Sequence, residues 1–437
     1  SQICTEEVDQ VATMQAESVS KAARAHLSLP LALAALLFSS TAAQAVEIDV
    51  HGFLMGTASS RVNSTPLKTG EKNNWLLSEE RLQVELSAES DEGDTAMVAK
   101  IDFLNDHVVG NADIDVRELY GEYIADDFEV RIGRQMLTWG VTDRLFINDV
   151  FPKNWSAFFS GQPLEYMKIG SDMAKIFLFG DSWDVELALI PIAQFDITPG
   201  SDRFVVFDPG FTVVEPENGL SNGEVAGRLH STFGTTDVAL YAFKGFWHQP
   251  DKGVSGSTII YPRLNNYGFT VQDTLLGGVL SLEAGFYHSI DDNSGTNPFI
   301  ANSQYRYMVG YEREVATDVT LGLQWYGEVM KNHSGYLAGA EPAFQANLGP
   351  KPLPEHRKIV TVNVRVLWMN QTLTTSMFFM GIGDAGGRML NPDVHYAVTD
   401  SFSVNAGAHA FWGGHDTGML GTMKHDDNIY MNLKWTF

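Results

Sequence analysis

The sequence predicts an all-β transmembrane protein, a closed antiparallel up-and-down barrel of about 18 strands with 16 as the fallback count. Three observations carry this. Apolar and polar residues alternate with a period of two in segment after segment, giving each strand one apolar and one polar face. Short turns and long loops alternate between those segments. No window reaches the roughly 18 to 20 uninterrupted apolar residues of a spanning helix. Strands that alternate leave hydropathy near neutral, as the mean of −0.09 does here.

The first 45 residues are of another kind. Lys21 and Arg24 precede an apolar run from Leu27 to Phe38, then Ser39-Ser40-Thr41 and Ala43-Gln44-Ala45. Basic region, short apolar core and small-x-small site make a secretory signal peptide, with cleavage expected after Ala45. Residues before Met14 read as upstream extension, and the lone Cys4 falls there. Residues 46–437 are then expected to form the barrel without disulfides.

The ladder begins with Ile48 and Val50 against Glu47, Asp49 and His51, and continues over 81–89 and 97–103. It recurs near 113–125, 128–137, 166–178, 183–191, 222–234, 236–247 and 257–274. Further segments lie near 278–288, 304–315, 317–328, 357–369, 371–381, 387–398, 400–412 and 426–437. The last ends in NIYMNLKWTF, with Ile429, Met431, Leu433, Trp435 and Phe437 on one face. Boundaries carry an error of about two to four residues.

One set of connections is short: Glu92-Gly93, Asp126-Asp127, Gly180-Asp181, Gly234-Thr235, Gly277-Gly278, Ala316-Thr317, Asn370-Gln371 and Thr399-Asp400. The other is longer, near 57–77, 138–165, 192–221, 289–303, 329–356 and 413–425, with shorter members at 105–112, 248–256 and 382–386. Both chain ends then fall on the short-turn side, as an even-stranded outer-membrane barrel requires. Aromatic residues such as Tyr123, Phe233, Trp325, Trp368, Trp412 and Trp435 cluster near strand ends, where a bilayer interface favours them. A pair of soluble sandwiches would turn its apolar faces inward and lacks a reason for that clustering.

Acidic residues outnumber basic ones 54 to 29, for a net charge of −25, which argues against nucleic acid as a partner. A bilayer cannot hydrogen-bond a sheet edge, so the sheet closes and its polar face lines the lumen. The candidate pore-lining residues are Glu85, Lys100, Asp102, Glu118, Glu122, Glu129, Arg131, Arg228, Glu283, Arg306, Glu312 and Arg365. Gln135, His230, Gln324, Glu328, His409 and Lys434 share their parity. Both signs are present, so part of the set is expected to form cross-strand pairs that stiffen the wall. The set as a whole would filter solutes by charge and width. With the lumen nearly balanced and the acidic excess left to loops and turns, mild cation selectivity that fades at high salt is expected.

Eighteen strands enclose a lumen too wide for wall side chains to fill. The loop at 141–166, which opens VTDRLFINDVFPKNWSAFF, is the candidate constriction, with Asp143, Arg144, Asp149 and Trp155 as its polar and aromatic members. An external loop has no need of Leu145, Phe146, Ile147, Phe151, Phe158 and Phe159. Loop 193–221 is similar, with Phe195, Phe204, Phe207 and Phe211. The alternative for both is a compact external cap. Arg134 breaks the lipid-facing parity of Ile132 and Met136, where a charge at mid-depth costs roughly 2–4 kcal/mol. A bulge near Gly133, or an interfacial position, is expected there.

From RIGRQMLTWGVTDRLFINDVFPKNW (Arg131–Trp155) the chain resembles a specific group, the uncharacterised proteobacterial outer-membrane barrels grouped with alginate-export and porin-like channels. The resemblance rests on Gly133-Arg134-Gln135, Trp139-Gly140, Asp149-Val150 and Pro152, and continues at LALIPIAQFDITPGSDRF and through the carboxy-terminal strands. It implies an outer-membrane channel of a Gram-negative bacterium, and for some relatives a place beside inner-membrane transporters and periplasmic lipid carriers.

No catalytic, cofactor or metal site is expected. His288, His395, His409 and His415 lack metal spacing, and Asp291-Asp292-Asn293-Ser294-Gly295 reads as a turn lacking the distal glutamate of a calcium loop. No nucleophile elbow or phosphate-binding loop occurs, so an enzyme is not expected. The leading reading is a passive channel for small polar or amphipathic solutes. A conduit for lipid or polysaccharide, coupled to a periplasmic or inner-membrane transporter partner, is the second. A structural or adhesive barrel acting through its loops is the third. Expected partners are outer-membrane lipid and lipopolysaccharide, the barrel-insertion machinery and the solute.

Overall fold

The structure, a computed structural model, describes residues 46–63, 65–67, 74–141, 144–206, 210–346, 351–383, 386–414 and 420–437. The expected signal segment, Asp143, Phe207 and His415 lie outside the described residues.

Eighteen strands form one sheet that closes on itself. In chain order they are β1 (Val46–Arg61), β2 (Trp75–Ser90), β3 (Thr95–Asp106), β4 (Asn111–Ile124), β5 (Phe128–Gln135) and β6 (Ser171–Leu178). Then come β7 (Asp184–Ile190), β8 (Glu224–Phe233), β9 (Thr236–Phe246), β10 (Arg263–Leu275), β11 (Gly278–Ser289) and β12 (Gln304–Ala316). The rest are β13 (Val319–Met330), β14 (His356–Trp368), β15 (Leu373–Ile382), β16 (Gly387–Ala397), β17 (Phe402–Trp412) and β18 (Asn428–Thr436). Sequence neighbours pair antiparallel, and β1 pairs with β18, so no edge is left open. The expected count of 18 holds, and every expected segment carries a strand. The boundaries moved most at the loop ends: β10 starts at Arg263 and β6 at Ser171, because the residues before them belong to packed loops.

Outward positions are apolar and exposed, as Val50, Leu54, Leu187, Leu240, Val309, Leu323, Val360 and Met431 show. Tyr123, Phe233, Trp368, Trp412 and Trp435 also stand exposed near strand ends, whereas Trp325, expected there too, is exposed at the middle of β13 because that strand runs on to Met330. This is the surface a closed barrel needs against hydrocarbon. Among the described residues no helix is long and apolar enough to cross a membrane.

The last residue extends the closing seam beyond the ladder between β1 and β18. The Phe437 N–H donates to the Gly52 carbonyl at 2.9 Å, and the Gly52 N–H donates back at 3.1 Å. A Cβ at position 52 would fall 2.7 Å from Phe437 Cζ, so glycine is what lets the terminal ring lie there. Deleting Phe437 removes this pair and an exposed apolar ring from the seam. It is expected to lower the amount of folded, heat-modifiable barrel, and an unchanged yield would refute that role.

The turn side carries only tight connections, at 91–94, 125–127, 179–183, 234–235, 276–277, 317–318, 369–372 and 398–401. On the loop side, loops 191–223 and 247–262 build a small three-stranded sheet from Thr212–Val214, Val254–Ser255 and Thr258–Ile260. Among the described residues the loops hold two α-helices, α1 (Trp155–Phe159) and α2 (His333–Gln345). Sequence gave no warning of α2, whose HSGYLAGAEPAFQ holds two glycines and Pro342 and starts after Asn332 at φ 55°. Its inner face, Tyr336 and Ala340, packs on Met330, so tertiary contact outweighs weak propensity.

The interior departs from the uniformly polar lumen that alternation alone implies. At the loop-side ends of β9 to β17, inward positions hold buried Phe243, Tyr287, Met308, Tyr326, Phe378 and Phe411. They are apolar because a loop packs against them from within.

Candidate functional site

The loop between β5 and β6, residues 136–170, enters the barrel and crosses it. Leu137, Trp139, Leu145, Ile147, Phe151, Phe158 and Phe159 are all buried in the cluster formed with the inner wall. Of the two arrangements open from sequence, this loop takes the inward one. The tip docks on β10 and β11, where paired Gly268 and Gly285 leave a notch in the wall. Asn148 fills it: its Nδ2 donates to the carbonyls of Phe269 and Ala284 at 3.3 Å each, and a Cβ at position 268 would collide with it. Glu283, buried beneath the tip, accepts the backbone N–H of Asn148 at 2.7 Å and of Val141 at 3.2 Å. The Tyr287 hydroxyl donates to the Ile147 carbonyl.

The return half of the loop reaches the opposite wall. α1 is capped by Asn154, whose side chain accepts the Ala157 N–H at 2.9 Å. Asn428 and Asn432 on β18 donate to the carbonyls of Phe159 and Gly161 at 3.1 Å each. Within the loop Asp149 accepts from Thr138 Oγ1 at 2.8 Å and from Lys153 Nζ at 2.9 Å. Trp155 donates its indole N–H to Asp196 of the next loop at 2.9 Å. That next loop, 191–223, lies across the loop-side mouth instead: Arg203 pairs with Asp106 at 2.6 Å, and the Val205 N–H donates to Asp426 at 2.8 Å.

The remaining candidate residues stand on the inward face, many of them in a chain of ion pairs along β2 to β8. Lys100 lies 3.1 Å from Glu85 and 3.6 Å from Glu118. Arg131 bridges Glu122 at 2.5 Å and Glu129 at 3.1 Å, and Lys175 continues to Glu186 at 3.6 Å, which meets Arg228 at 3.0 Å. Asp102 is fully buried against Arg81 and Gln83. On the other side Arg306 is buried near Glu328, at 3.6 Å, while Glu312 and Arg365 are exposed nearer the turn side. Sequence reasoning passed over Glu186, Lys175 and Arg81 as lumen residues, although each has the parity of its strand's polar face. It had no signal for Trp247, which lies beyond a strand end.

The inserted loop divides the interior. On the loop side lies a cavity of about 1040 Å³, walled by Phe246, Trp247, Leu264, Tyr287, Ile359 and Met380 among others. On the turn side lies one of about 400 Å³ with a polar wall that includes Asn391, Asp393, His395, Asn405 and Asn432. Arg144 lines both. Its guanidinium sits 4.2 Å over the Phe378 ring, and Nη1 donates to Asn391 at 3.2 Å. The candidate constriction residues thus separate by role: Arg144 stands at the junction, whereas Asp149 and Trp155 hold the loop's shape.

Three titratable loop groups tie the loop-side layer together. His248 places Nδ1 2.7 Å from the Val150 carbonyl and Nε2 2.9 Å from Glu224. Burial acts to lower its pKa, but Glu224 and Asp196 outweigh it and the net shift is upward. Burial raises Asp196 against the opposing pull of His248. Burial also raises Asp426 to about 6, against the Val205 N–H and Arg61. A histidine raised in the fold contributes stability below its unfolded value near 6.5, lost as pH climbs through the raised one. A raised carboxyl acts in the same sense, its contribution fading between about 4 and 6. Both signs predict looser loop-side ties at high pH. Channel flicker in planar bilayers is expected to increase from pH 5 to pH 8, and Asp426→Asn to remove the part below pH 6.5. Less flicker at pH 8 than at pH 5 would contradict this.

Arg134 corrects the expectation of a bulge at Gly133. Register is continuous there, and the bulge lies one strand away, at Arg117 of β4, where Lys100 pairs with Glu118 but Ile101 with Val116. Arg134 keeps its outward parity at the loop-side end of β5 and is neutralised by Asp172, Nε to Oδ1 at 2.8 Å. The Asp291–Gly295 stretch is a turn in which Asp292 accepts the Asn297 N–H at 2.9 Å and the Ser294 hydroxyl. Among the described residues, no group of three or more His, Cys, Asp or Glu is placed to hold a metal.

No family model matches the chain, and no curated protein matches it. Among solved structures it is similar to OccAB1 of Acinetobacter baumannii, at 12% identity and a TM-score of 0.54, covering 89% of this chain and 96% of that one. A triple mutant of the Rhodopseudomonas blastica porin aligns at 14% identity and TM-score 0.43, over 90% of this chain and all of that one. A loop-deleted OmpT, an outer-membrane protein of Vibrio cholerae, aligns at 12% identity and TM-score 0.41 over 90% of this chain. At these identities the likeness to OccAB1 bears on the fold, a large antiparallel barrel.

Proposed function

We propose that this chain is an outer-membrane, porin-like channel of a Gram-negative bacterium, passing small polar or amphipathic solutes. The observation that carries the reading is the pair of cavities on opposite sides of an inserted loop, meeting at Arg144 inside a closed barrel. A solute entering from the loop side, the cell exterior in this reading, first meets the apolar cavity, then Arg144, then the polar cavity towards the periplasm. An apolar strip running the whole length would favour a lipid conduit, and the polar wall below Arg144 interrupts it. The Gly133–Gln135, Trp139-Gly140 and Asp149-Val150 motifs support the grouping with alginate-export and porin-like barrels, and the motif at 21–45 supports secretion with cleavage after Ala45.

Purified protein in planar bilayers is expected to add discrete conductance steps. Amino-terminal sequencing of the outer-membrane protein is expected to start at Val46. Absence of any step over a range of voltages and salts would overturn the channel reading in favour of a barrel that acts through its loops.

A further inference from the structure

The turn-side cavity, about 400 Å³, is within the size range of ligand pockets, and its wall is organised in two rows. The back row is closed on itself. Asn391 donates to the Tyr430 hydroxyl at 2.9 Å and to the Ala408 carbonyl at 3.0 Å. Asn432 accepts from Thr57 at 2.8 Å and donates to the Gly161 carbonyl at 3.1 Å. The front row comprises Gln162 of the inserted loop, Ser376 of β15, Asp393 and His395 of β16, and Ser403 and Asn405 of β17. None of these six is buried.

That front row is largely uncommitted. The side chains of Gln162, Ser376, His395 and Ser403 make no hydrogen bond or ion pair among the described residues. Asp393 receives Asn405 and Tyr430 on a single oxygen, Oδ2, at 2.9 Å each, which leaves Oδ1 and the Asn405 side-chain carbonyl to the cavity. Register sets Ser376 opposite Asp393 and His395 opposite Asn405, neighbours about 5 Å apart on rigid strands. The patch therefore presents donors and acceptors side by side. Charge in the lining is balanced: Arg144 and Lys434 are matched in number by Glu165 and Asp393, and Lys434 lies 3.8 Å from Glu165. The inserted loop adds a second feature. Leu164, 46% exposed, lines the same cavity beside Pro163, an apolar surface left open to the lumen.

Resting on the channel reading, we propose that this cavity is a subsite for a neutral saccharide of one or two rings on its way through the barrel. Ring hydroxyls both donate and accept, so they answer the mixed patch of Ser376, Asp393, His395 and Ser403. The C–H face of the ring lies on Pro163 and Leu164. A polyether of the same size accepts only, and an amine or a carboxylate answers only one sign of the wall.

Single-channel current in planar bilayers tests this with glucose and sucrose, against polyethylene glycol of matching size, glucosamine and glucuronate. Both sugars are expected to reduce the current saturably, while the polyether lowers it only in step with bulk conductivity. His395→Ala and the double variant Ser376→Ala/Ser403→Ala have their folding checked by heat-modifiable migration. Each is expected to raise the half-blocking sugar concentration about three- to tenfold, the loss of one or two hydrogen bonds. Three results would overturn the site and leave the channel reading standing: full conductance without saturable sugar block, block unchanged in both folded variants, or a charged analogue binding tenfold tighter than glucose. If no conductance steps appear, saturation-transfer NMR of glucose with the protein in lipid nanodiscs decides instead. A signal that the variants lose supports the site while removing the channel reading, and no signal removes both.

Discussion

A channel carrying Glu283→Ala is expected to conduct several times more current than the parent and to switch noisily between levels. Glu283 is the buried acceptor for two backbone N–H groups at the tip of the inserted loop, Asn148 and Val141. Alanine leaves both donors without it, at about 1–3 kcal/mol each. The rest of the tip is held by Asn148 in the Gly268–Gly285 notch and by the Tyr287 hydroxyl. A total loss of roughly 2–6 kcal/mol is enough to populate a displaced loop, because a shift of about 1.4 kcal/mol is already tenfold in the equilibrium. The barrel wall itself is untouched, since β10 and β11 keep all twelve of their paired positions. Glu283→Gln, which keeps one acceptor oxygen and the volume, should fall between the two. Gly268→Val reaches the same state from the other partner, by filling the notch. Parent-like current in both Glu283→Ala and Gly268→Val, with barrels that still migrate as folded, would show that the loop does not limit conduction.

How much of this was legible beforehand depends on which solvent each residue faces. Lipid imposes a strict rule on the outer face, so Val50, Leu240 or Met431 could be placed from period two alone, and all the strands with them. The inner face answers to whatever fills the barrel, and sequence did not specify that. Phe243, Met308 and Phe378 are apolar like their lipid-facing neighbours, yet they point inward because Leu145, Ile147 and Phe158 meet them there. Composition flagged the loop at 141–166 as too apolar for solvent but could not aim it. Glu283 has the same parity as Arg131 and Glu129, and only the long-range register shows that one anchors a loop while the others pair along the wall. Arg134 misled for a related reason: its partner Asp172 is 38 residues away, so a neutralised outward pair looked like a bulge.

Replacing Arg144 by glutamate is expected to convert a weakly selective channel into a strongly cation-selective one. The charges along the axis are uneven. The eight turns carry Asp91, Glu92, Asp94, Asp126, Asp127, Asp181, Asp318 and Asp400 and no basic residue, so the turn-side mouth concentrates cations. Arg144 stands past that mouth, facing both cavities, and favours anions there. The two regions act in series and oppose each other, which predicts mild cation selectivity and asymmetric current at low salt. Both should fade as the Debye length falls from about 30 Å at 0.01 M to about 3 Å at 1 M. A unit charge about 5 Å from a passing ion is worth roughly 1 kcal/mol in water and roughly 3 kcal/mol at an effective dielectric near 20. Reversing its sign shifts a cation and an anion by roughly 2 kcal/mol each in opposite directions even at the aqueous limit, and each 1.4 kcal/mol is tenfold, so the cation-to-anion permeability ratio is expected to rise about 100-fold or more. Arg144 is partly buried inside the barrel, where it is screened less than charges at the open mouth, so part of the effect of Arg144→Glu should persist in 1 M salt where the mouth's influence has gone. Reversal potentials under a KCl gradient at low and high mean salt measure both. An unchanged reversal potential in Arg144→Glu would mean that ions cross the barrel without passing residue 144.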